Sequence, residues 1–425
     1  QTALSEGYLD ASYTRHELRV DINTNTAEIL LTLETGPRYY FGAITIEQDG
    51  TLDDSFLRRY LRVTPGQPFD ASKLLATQFT FTDLGYFKSV DIDAQKDKAD
   101  ALRQIPVIIR TTPRKRQAYK VGAGYGTDTG LRALAGVEFR QLNQEGHKLK
   151  LEIRPSQNIS TAVASYSIPV GTHPGDAISF TGQGLKQNFQ DIRENLYSIG
   201  TAYEWQLGLG QRRIYLTYTN DDYTLPDQAP TTSILLTPGF TFSRTDINDP
   251  IYPRRGWFAS LDVHGGSRQL LSDTNFIETL LQLRGVYPLA PKLRLLARAQ
   301  EGAVFAGNFQ TLPPSQRFFA GGDESVRGYS YQSLGPRNAD GNVIGGKYLT
   351  TGSVELDYDV YKSYGAALFG DVGGADNVPN VLLHYSAGIG FRYRAPFGAV
   401  AIDLAHPFDH GASPVRLHIG VRVGR

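Results

Sequence analysis

Val415-Arg416-Leu417-His418-Ile419-Gly420-Val421-Arg422-Val423 alternates without a break: five aliphatic side chains occupy the odd positions, with Arg416, His418, Gly420 and Arg422 between them. A period of two marks a strand, because successive side chains there point to opposite faces. One face of this strand is apolar and the other carries charge. The same pattern recurs upstream. Leu149, Leu151 and Ile153 oppose Lys148, Lys150, Glu152 and Arg154. Leu293, Leu295, Ala297 and Ala299 oppose Arg294, Arg298 and Gln300, and Val354, Leu356 and Tyr358 oppose Glu355, Asp357 and Asp359. From Gln117 onward about sixteen such segments follow one another, the first near 119–126 and the last near 415–423, separated by Gly, Pro, Asn and Asp turns. Their lengths, about nine to eleven residues, suit tilted strands that cross a bilayer. In a water-soluble β assembly the charged face meets water and the apolar faces share one core. About 300 residues of strands with no helix and few purely apolar runs fit the reverse arrangement, with charge facing a wet lumen and apolar side chains facing lipid. The expectation is a mainly β protein, a 16-stranded antiparallel transmembrane barrel over 116–425.

The composition agrees. The chain has 425 residues, 43 basic and 43 acidic, so no net charge draws it to nucleic acid. Its 44 glycines, 24 tyrosines and 21 phenylalanines suit strands and turns. It has no cysteine, which excludes disulfides and thiolate metal sites. No apolar run is long enough for a membrane-spanning helix, and the segment at Gln1 carries no basic-then-apolar leader pattern.

Before the barrel the grammar differs. An alternating strand at 42–47 leads to a helix near 53–61 and a Thr64-Pro65-Gly66-Gln67-Pro68 turn. A second helix follows with Asp70 as N-cap and Leu74, Leu75 and Phe79 on its buried side, then strands at 89–93 and 105–109. This is a β-α-α-β-β module over 38–115. Residues 1–37 repeat its second half (Glu6-Gly7-Tyr8-Leu9 against Leu84-Gly85-Tyr86-Phe87, Gly36-Pro37-Arg38 against Thr112-Pro113-Arg114) and read as the C-terminal fragment of a preceding copy.

One connection inside the barrel, about 305–347, is far longer than a turn requires, and compact proteins keep such loops for a function. At its centre stands Arg317-Phe318-Phe319-Ala320-Gly321-Gly322-Asp323-Glu324-Ser325-Val326-Arg327-Gly328-Tyr329, followed by Ser333-Leu334-Gly335-Pro336. One arginine among small and aromatic residues suits a loop folded into a confined space, where its guanidinium takes a carboxylate two-pronged. Glu355 and Asp371, on the strands after the loop, are candidate partners. The run lacks the Gly-Lys-Ser/Thr ending of a phosphate-binding loop. His406, Asp409 and His410 fall in a Pro/Gly turn and read as solvated residues rather than metal ligands. No serine sits in a nucleophile elbow. The expectations are no catalytic residue, no cofactor and no metal.

These motifs resemble the Omp85 superfamily of outer-membrane assembly factors, and within it most closely the translocation and assembly module branch (TamA). The resemblance rests on the Arg317–Pro336 run with Val326, Arg327, Gly328 and Tyr329 at its heart. It rests also on Asp249-Pro250-Ile251-Tyr252-Pro253-Arg254-Arg255-Gly256, Gly124-Tyr125-Gly126-Thr127-Asp128-Thr129-Gly130, and Gly390-Phe391-Arg392-Tyr393-Arg394-Ala395-Pro396-Phe397-Gly398. It covers roughly 38–425, and the β-α-α-β-β module resembles a POTRA domain. It implies a barrel in the bacterial outer membrane with POTRA domains in the periplasm, and a lumenal loop whose arginine meets Glu355 and Asp371. It also implies a TamB-like periplasm-spanning partner, and unfolded β-barrel clients, autotransporters among them, inserted into the lipid bilayer. The first strand carries Gly122, Gly124 and Gly126, so its seam with Ile419 and Val421 of the last strand should be weak, and an opened seam offers unpaired backbone groups to a client strand. A cross-link between positions 121 and 421 should lock it. A two-partner secretion transporter passing a soluble exoprotein, or a passive pore, are the alternatives.

Overall fold

The structure, a computed structural model, describes residues 2–50, 52–249, 252–395, 398–409 and 415–424. The chain divides into two compact units. One comprises Gln1–Arg116, Arg140–His147 and Pro169–Gly175, the other Gln117–Phe139, Lys148–Ile168 and Asp176–Arg425.

The first unit opens with α1 (Thr2–Ser5) and an antiparallel pair, β1 (Ser12–Asp21) and β2 (Thr26–Glu34). The expected module follows: β3 (Tyr40–Gln48), α2 (Asp54–Arg58), α3 (Ala71–Asp83), β4 (Phe87–Ala94) and β5 (Gln104–Pro113). Its sheet has the order β3-β5-β4, with β3 parallel and β4 antiparallel to β5. The parallel pair needs a long crossover, which the two helices supply. Phe41, Leu57, Phe81, Ile105, Val107 and Ile109 are fully buried between helices and sheet. Asp70 caps α3, its carboxylate accepting the Ser72 N–H at 2.8 Å. The buried face of α3 departs from expectation. Leu74 packs against the core, but Leu75 and Phe79 are exposed, and Thr77, Thr80 and Phe81 are buried in their place. Both threonines return their hydroxyls to carbonyls one turn back, Lys73 and Ala76, at 2.8 Å each, and so enter the core without an unmet hydrogen bond. The stripe that scores only apolar residues is therefore rotated from the true one.

The second unit is a closed barrel of sixteen antiparallel strands, each beside its neighbours in sequence. They are β6 (Gln117–Gly126), β7 (Gly130–Phe139), β8 (Lys148–Arg154), β9 (Ile159–Pro169), β10 (Ala177–Phe189), β11 (Ile192–Leu207), β12 (Gly210–Thr224), β13 (Thr231–Ile247), β14 (Gly256–Gly266), β15 (Phe276–Ala290), β16 (Leu293–Ala306), β17 (Tyr348–Tyr361), β18 (Tyr364–Asp376), β19 (His384–Ala395), β20 (Gly398–Pro407) and β21 (Arg416–Gly424). The wall is inside-out relative to a soluble protein. In β17 Val354 and Tyr358 are exposed while Ser353 and Asp357 are buried, and in β21 Leu417 is 45% exposed against 3% for His418. Apolar side chains facing outward and charge facing the lumen are what lipid demands of a barrel. Aromatics on the outward parity gather toward both rims: exposed Tyr203 stacked on half-buried Trp205, exposed Trp257, and exposed Tyr364 against half-buried Tyr393 toward the end with the short turns, exposed Phe305 against half-buried Tyr348 toward the other.

Two features of the barrel bear on function. Residues 307–347, between β16 and β17, fold back inside, where Phe309, Leu312, Phe318, Val326 and Leu334 make a small apolar core with Leu235, Val304 and Leu349 of the wall. And β21 closes on β6 through five pairs among the described residues, Gly420↔Gly126 to Gly424↔Gly122, against fifteen between β11 and β12. Tyr125, not Val121, stands opposite Val421. The expected cross-link at 121 and 421 is thus four residues out of register, a stagger that barrel closure imposes and that alternation alone does not reveal.

Candidate functional site

The turn Gly321–Val326 is tight: Gly321 and Gly322 both lie at φ 102°, the Gly322 N–H reaches the Val326 carbonyl, and the Ser325 hydroxyl accepts the Gly321 N–H. It delivers Arg327 to the wall 5% exposed. There the guanidinium meets Asp371 of β18 two-pronged, Nε to Oδ2 at 2.8 Å and Nη2 to Oδ1 at 2.9 Å, while its own backbone N–H donates to the same carboxylate at 3.0 Å. Nη1 reaches Glu355 of β17 at 2.7 Å and Asp403 of β20 at 3.1 Å. The face of the guanidinium lies 3.4 Å from the Phe369 ring centroid. Planar donors at the edge and a ring at the face use every recognition property an arginine has.

The structure therefore brings Glu355 and Asp371 to Arg327, and adds residues that sequence reasoning missed. Asp403 is the third acid. Arg392 of β19 joins Glu355 at 2.8 Å and also binds Asp403, and Ser353 donates to Asp371 at 2.6 Å. Arg298 of β16 donates to the carbonyls of Asp323 and Ser325 and lies 3.9 Å from Asp371. Three arginines thus face three acids, which is how buried charge is tolerated. The signal for Arg392 and Asp403 was their inward parity on their own strands. Val326 is buried in the apolar core of the loop. The Gly328 N–H donates to His418 Nε2 of β21 at 2.8 Å, and the Tyr329 hydroxyl donates to the Tyr385 carbonyl at 3.2 Å.

The seam has its own chemistry. A Cβ on Gly124 would stand 2.4 Å from the Val421 carbonyl, so only glycine lets β21 approach there. Arg132 of β7 donates to that carbonyl at 2.9 Å, and Thr127 exchanges bonds with Ile419, its N–H to the carbonyl at 3.1 Å and the Ile419 N–H to its hydroxyl at 2.7 Å. Side chains thus supply part of what a strand ladder would. Gly126 pairs Gly420, and Gly122 pairs Gly424.

The Asp249–Gly256 motif builds a second cluster. Tyr252 lies between Arg294, 3.7 Å from its ring centroid, and Arg394, at 4.6 Å, and its hydroxyl donates to Asp359 at 2.9 Å. Pro250 and Ile251 lie outside the described residues, as do Pro396 and Phe397 of the Gly390–Gly398 motif. Asp409 pairs with His384. His410 lies outside the described residues, so the triad weighed as a metal site is not assembled among them.

Residues 143–423 match the Omp85 superfamily domain, and residues 39–112 match the POTRA model, described as a surface antigen variable number repeat. The outer membrane protein assembly factor BamA of Nitratidesulfovibrio vulgaris is 24% identical over 436 residues, covering 96% of this chain and 54% of that protein. The chain spans little more than half the length of the bacterial curated relatives it matches. Among solved structures, BamA from Haemophilus ducreyi lacking POTRA domains 1–3 superposes with a TM-score of 0.80 at 19% identity, over 100% of this chain and 91% of the other. CdiB from Acinetobacter baumannii superposes at 0.61 and 14%, over 100% and 80%. Fold, site and family match together place the chain in the Omp85 superfamily, as an outer-membrane β-barrel with a POTRA domain of the kind that is periplasmic in this family.

Proposed function

We propose that this protein is a non-enzymatic insertase that assists the folding and insertion of outer-membrane β-barrel proteins, by opening the seam between β21 and β6 and lending its strand edges to incoming client strands. The observation that carries the reading is the seam itself, glycine-lined and held in part by side chains. An opened edge exposes N–H and C=O groups that are costly in lipid, and a client strand satisfies them by β-augmentation. The Arg327 loop braces the wall while the seam moves. The name carried by the curated relatives, outer membrane protein assembly factor, supports the same activity. The narrower form of the reading, drawn from the loop and turn motifs, is the TamA branch, with a TamB-like partner and autotransporters among the clients.

The test is reconstitution of the protein in liposomes with an unfolded autotransporter. Protease-protected, heat-modifiable client is followed against Arg327→Ala liposomes and empty ones. Faster insertion by the native protein, lost in the variant, is the expected result. No acceleration, with steady ion conductance or release of a soluble client, replaces the proposal with the pore or secretion reading. Retention of a TamB-like protein from a co-purification separates the narrower form from the broader one.

A further inference from the structure

The loop turn touches both sides of the seam. On the first-strand side Asp128, in the turn between β6 and β7, accepts the Asp323 N–H on Oδ2 at 2.6 Å. On the last-strand side the Asp323 carboxylate pairs with His418 Nδ1, and His418 Nε2 accepts the Gly328 N–H. Arg416 of β21 adds a bond to the Ser330 hydroxyl at 2.7 Å. Asp128, Asp323 and His418 are separated by up to 290 residues in sequence and belong to three different segments, yet they line one cavity of ≈ 460 Å³ beside the seam. From this geometry we infer that Asp323 is a latch: the lumenal loop holds the seam shut from inside by joining the β6–β7 turn to β21, and the seam opens when that relay is broken.

Hydrogen-bond valence supports a latch of neutral histidine. Nε2 takes a backbone N–H and so carries no proton, which places the ring proton on Nδ1, aimed at Asp323. Three ligand-type atoms of Asp128, Asp323 and His418 lie within 4.8 Å of one another, the spacing of a cation site. With the loop seated, however, the Nδ1 lone pair that a metal would need is the one that bears the proton. Oδ1 of Asp128 has no partner among the described residues, and that carboxylate sits beside the Asp323 charge. Gly322 makes the approach possible, since a Cβ there would stand 2.4 Å from Asp128 Oδ2.

The latch regulates the seam of the proposed insertase and rests on that reading, so its test keeps the two apart. The chain has no cysteine, which lets spin labels be placed at Leu131→Cys on β7 and Leu404→Cys on β20, both lipid-facing and flanking the seam. The distance between them is measured by pulsed electron resonance on the full chain in nanodiscs, with heat-modifiable migration as the check on folding. Asp323→Ala and His418→Ala should raise the long-distance population about two- to ten-fold, the worth of one or two lost hydrogen bonds. Asp323→Asn keeps an acceptor for Nδ1–H and should stay near wild type. Gly322→Ala, which leaves every relay residue in place, should act like Asp323→Ala. Unchanged distances in folded Asp323→Ala overturn the latch, as does a closed population that appears only with added Zn²⁺ and vanishes with chelator, which would make the trio a cation site. Client added to the wild type addresses the insertase separately. If client lengthens the distance while the variants alone do not, the latch fails and the seam reading stands. If client leaves it unchanged, the seam reading fails and the variants still decide the latch.

Discussion

The wall under Arg327 and the seam between β21 and β6 are parts of one barrel built from opposite materials. At the wall, long side chains of both signs interlock across β16, β17, β18, β19 and β20, and a single guanidinium is shared by Asp371, Glu355 and Asp403. At the seam, glycines face glycines, and Arg132 and Thr127 stand in for part of the ladder. The difference teaches where the loop is fixed and where it is light. Its anchor is a many-partner ionic cluster that does not yield in steps, whereas its hold on the seam is a chain of single hydrogen bonds.

The comparison breaks first at the anchor. Arg327→Ala strands Asp371 as a buried carboxylate without its main partner, a loss of about 3–5 kcal/mol in related buried pairs. It should free the loop for tryptic cleavage after Arg317 and Arg337 and lower the temperature of heat-modified migration. Arg327→Lys should recover only a part, since an ammonium keeps charge but not the two-pronged fit. If Arg327→Ala leaves the loop protected, the anchor is not where the loop is held. Next is Gly124→Val. Its Cβ would collide with the Val421 carbonyl, at a cost of about 1–3 kcal/mol. A disulfide between Tyr125→Cys and Val421→Cys, the pair in register, should then form poorly while the anchor stays intact. Efficient cross-linking in Gly124→Val would show the seam to be more tolerant than its packing implies. In the first unit, Phe81→Ala should cost about 3–5 kcal/mol in that unit's own unfolding, whereas Phe79→Ala, at an exposed position, should stay within about 0.5 kcal/mol.

The smallest effect is one of pH. Burial, then the neighbouring Asp323 charge, push the Asp128 carboxyl up to about 6, against the opposing pull of the Asp323 N–H and Arg416, with the neutral His418 ring beside them. A carboxyl raised in the closed state favours closure while it is protonated. Closure should therefore weaken as pH rises from the ordinary carboxylate value of about 3.9 toward 6 and then level off. Asp128→Asn keeps the acceptor for the Asp323 N–H and removes the titration. Its seam distances should match or exceed wild-type closure above pH 6 and be flat from about 4 to 6. A wild-type seam already insensitive to pH over that range would remove Asp128 from the relay.

How much of this was legible follows from how far apart the contributing residues lie. Alternation such as that of 415–423 carries both the strand and its inside-out orientation, because side-chain parity is a local property. Glu355 and Asp371 were visible for a related reason: they lie on the strands that follow the loop. Asp403 and Arg392 carry the same parity, but their height on the wall depends on register summed around the barrel, which no local pattern holds. The same stagger moved the partner of Val421 from position 121 to Tyr125. Asp128, Asp323 and His418 were quoted in three separate motifs, and only closure of the sheet makes them neighbours. In α3 the miss was chemical rather than topological, since Thr77 and Thr80 behave as core residues once their hydroxyls are satisfied by the preceding turn.

Both tryptophans of the chain, Trp205 and Trp257, stand on β11 and β14, toward the rim with the short turns and several strands from either side of the seam. Intrinsic emission excited at the red edge of the tyrosine band will therefore register the arrival of that rim at the bilayer interface and stay silent when the gate moves. A fluorescence trace that is flat during client insertion is the expected optical signature of a working molecule, and a third indole, introduced as Tyr125→Trp, would give the gate a colour of its own.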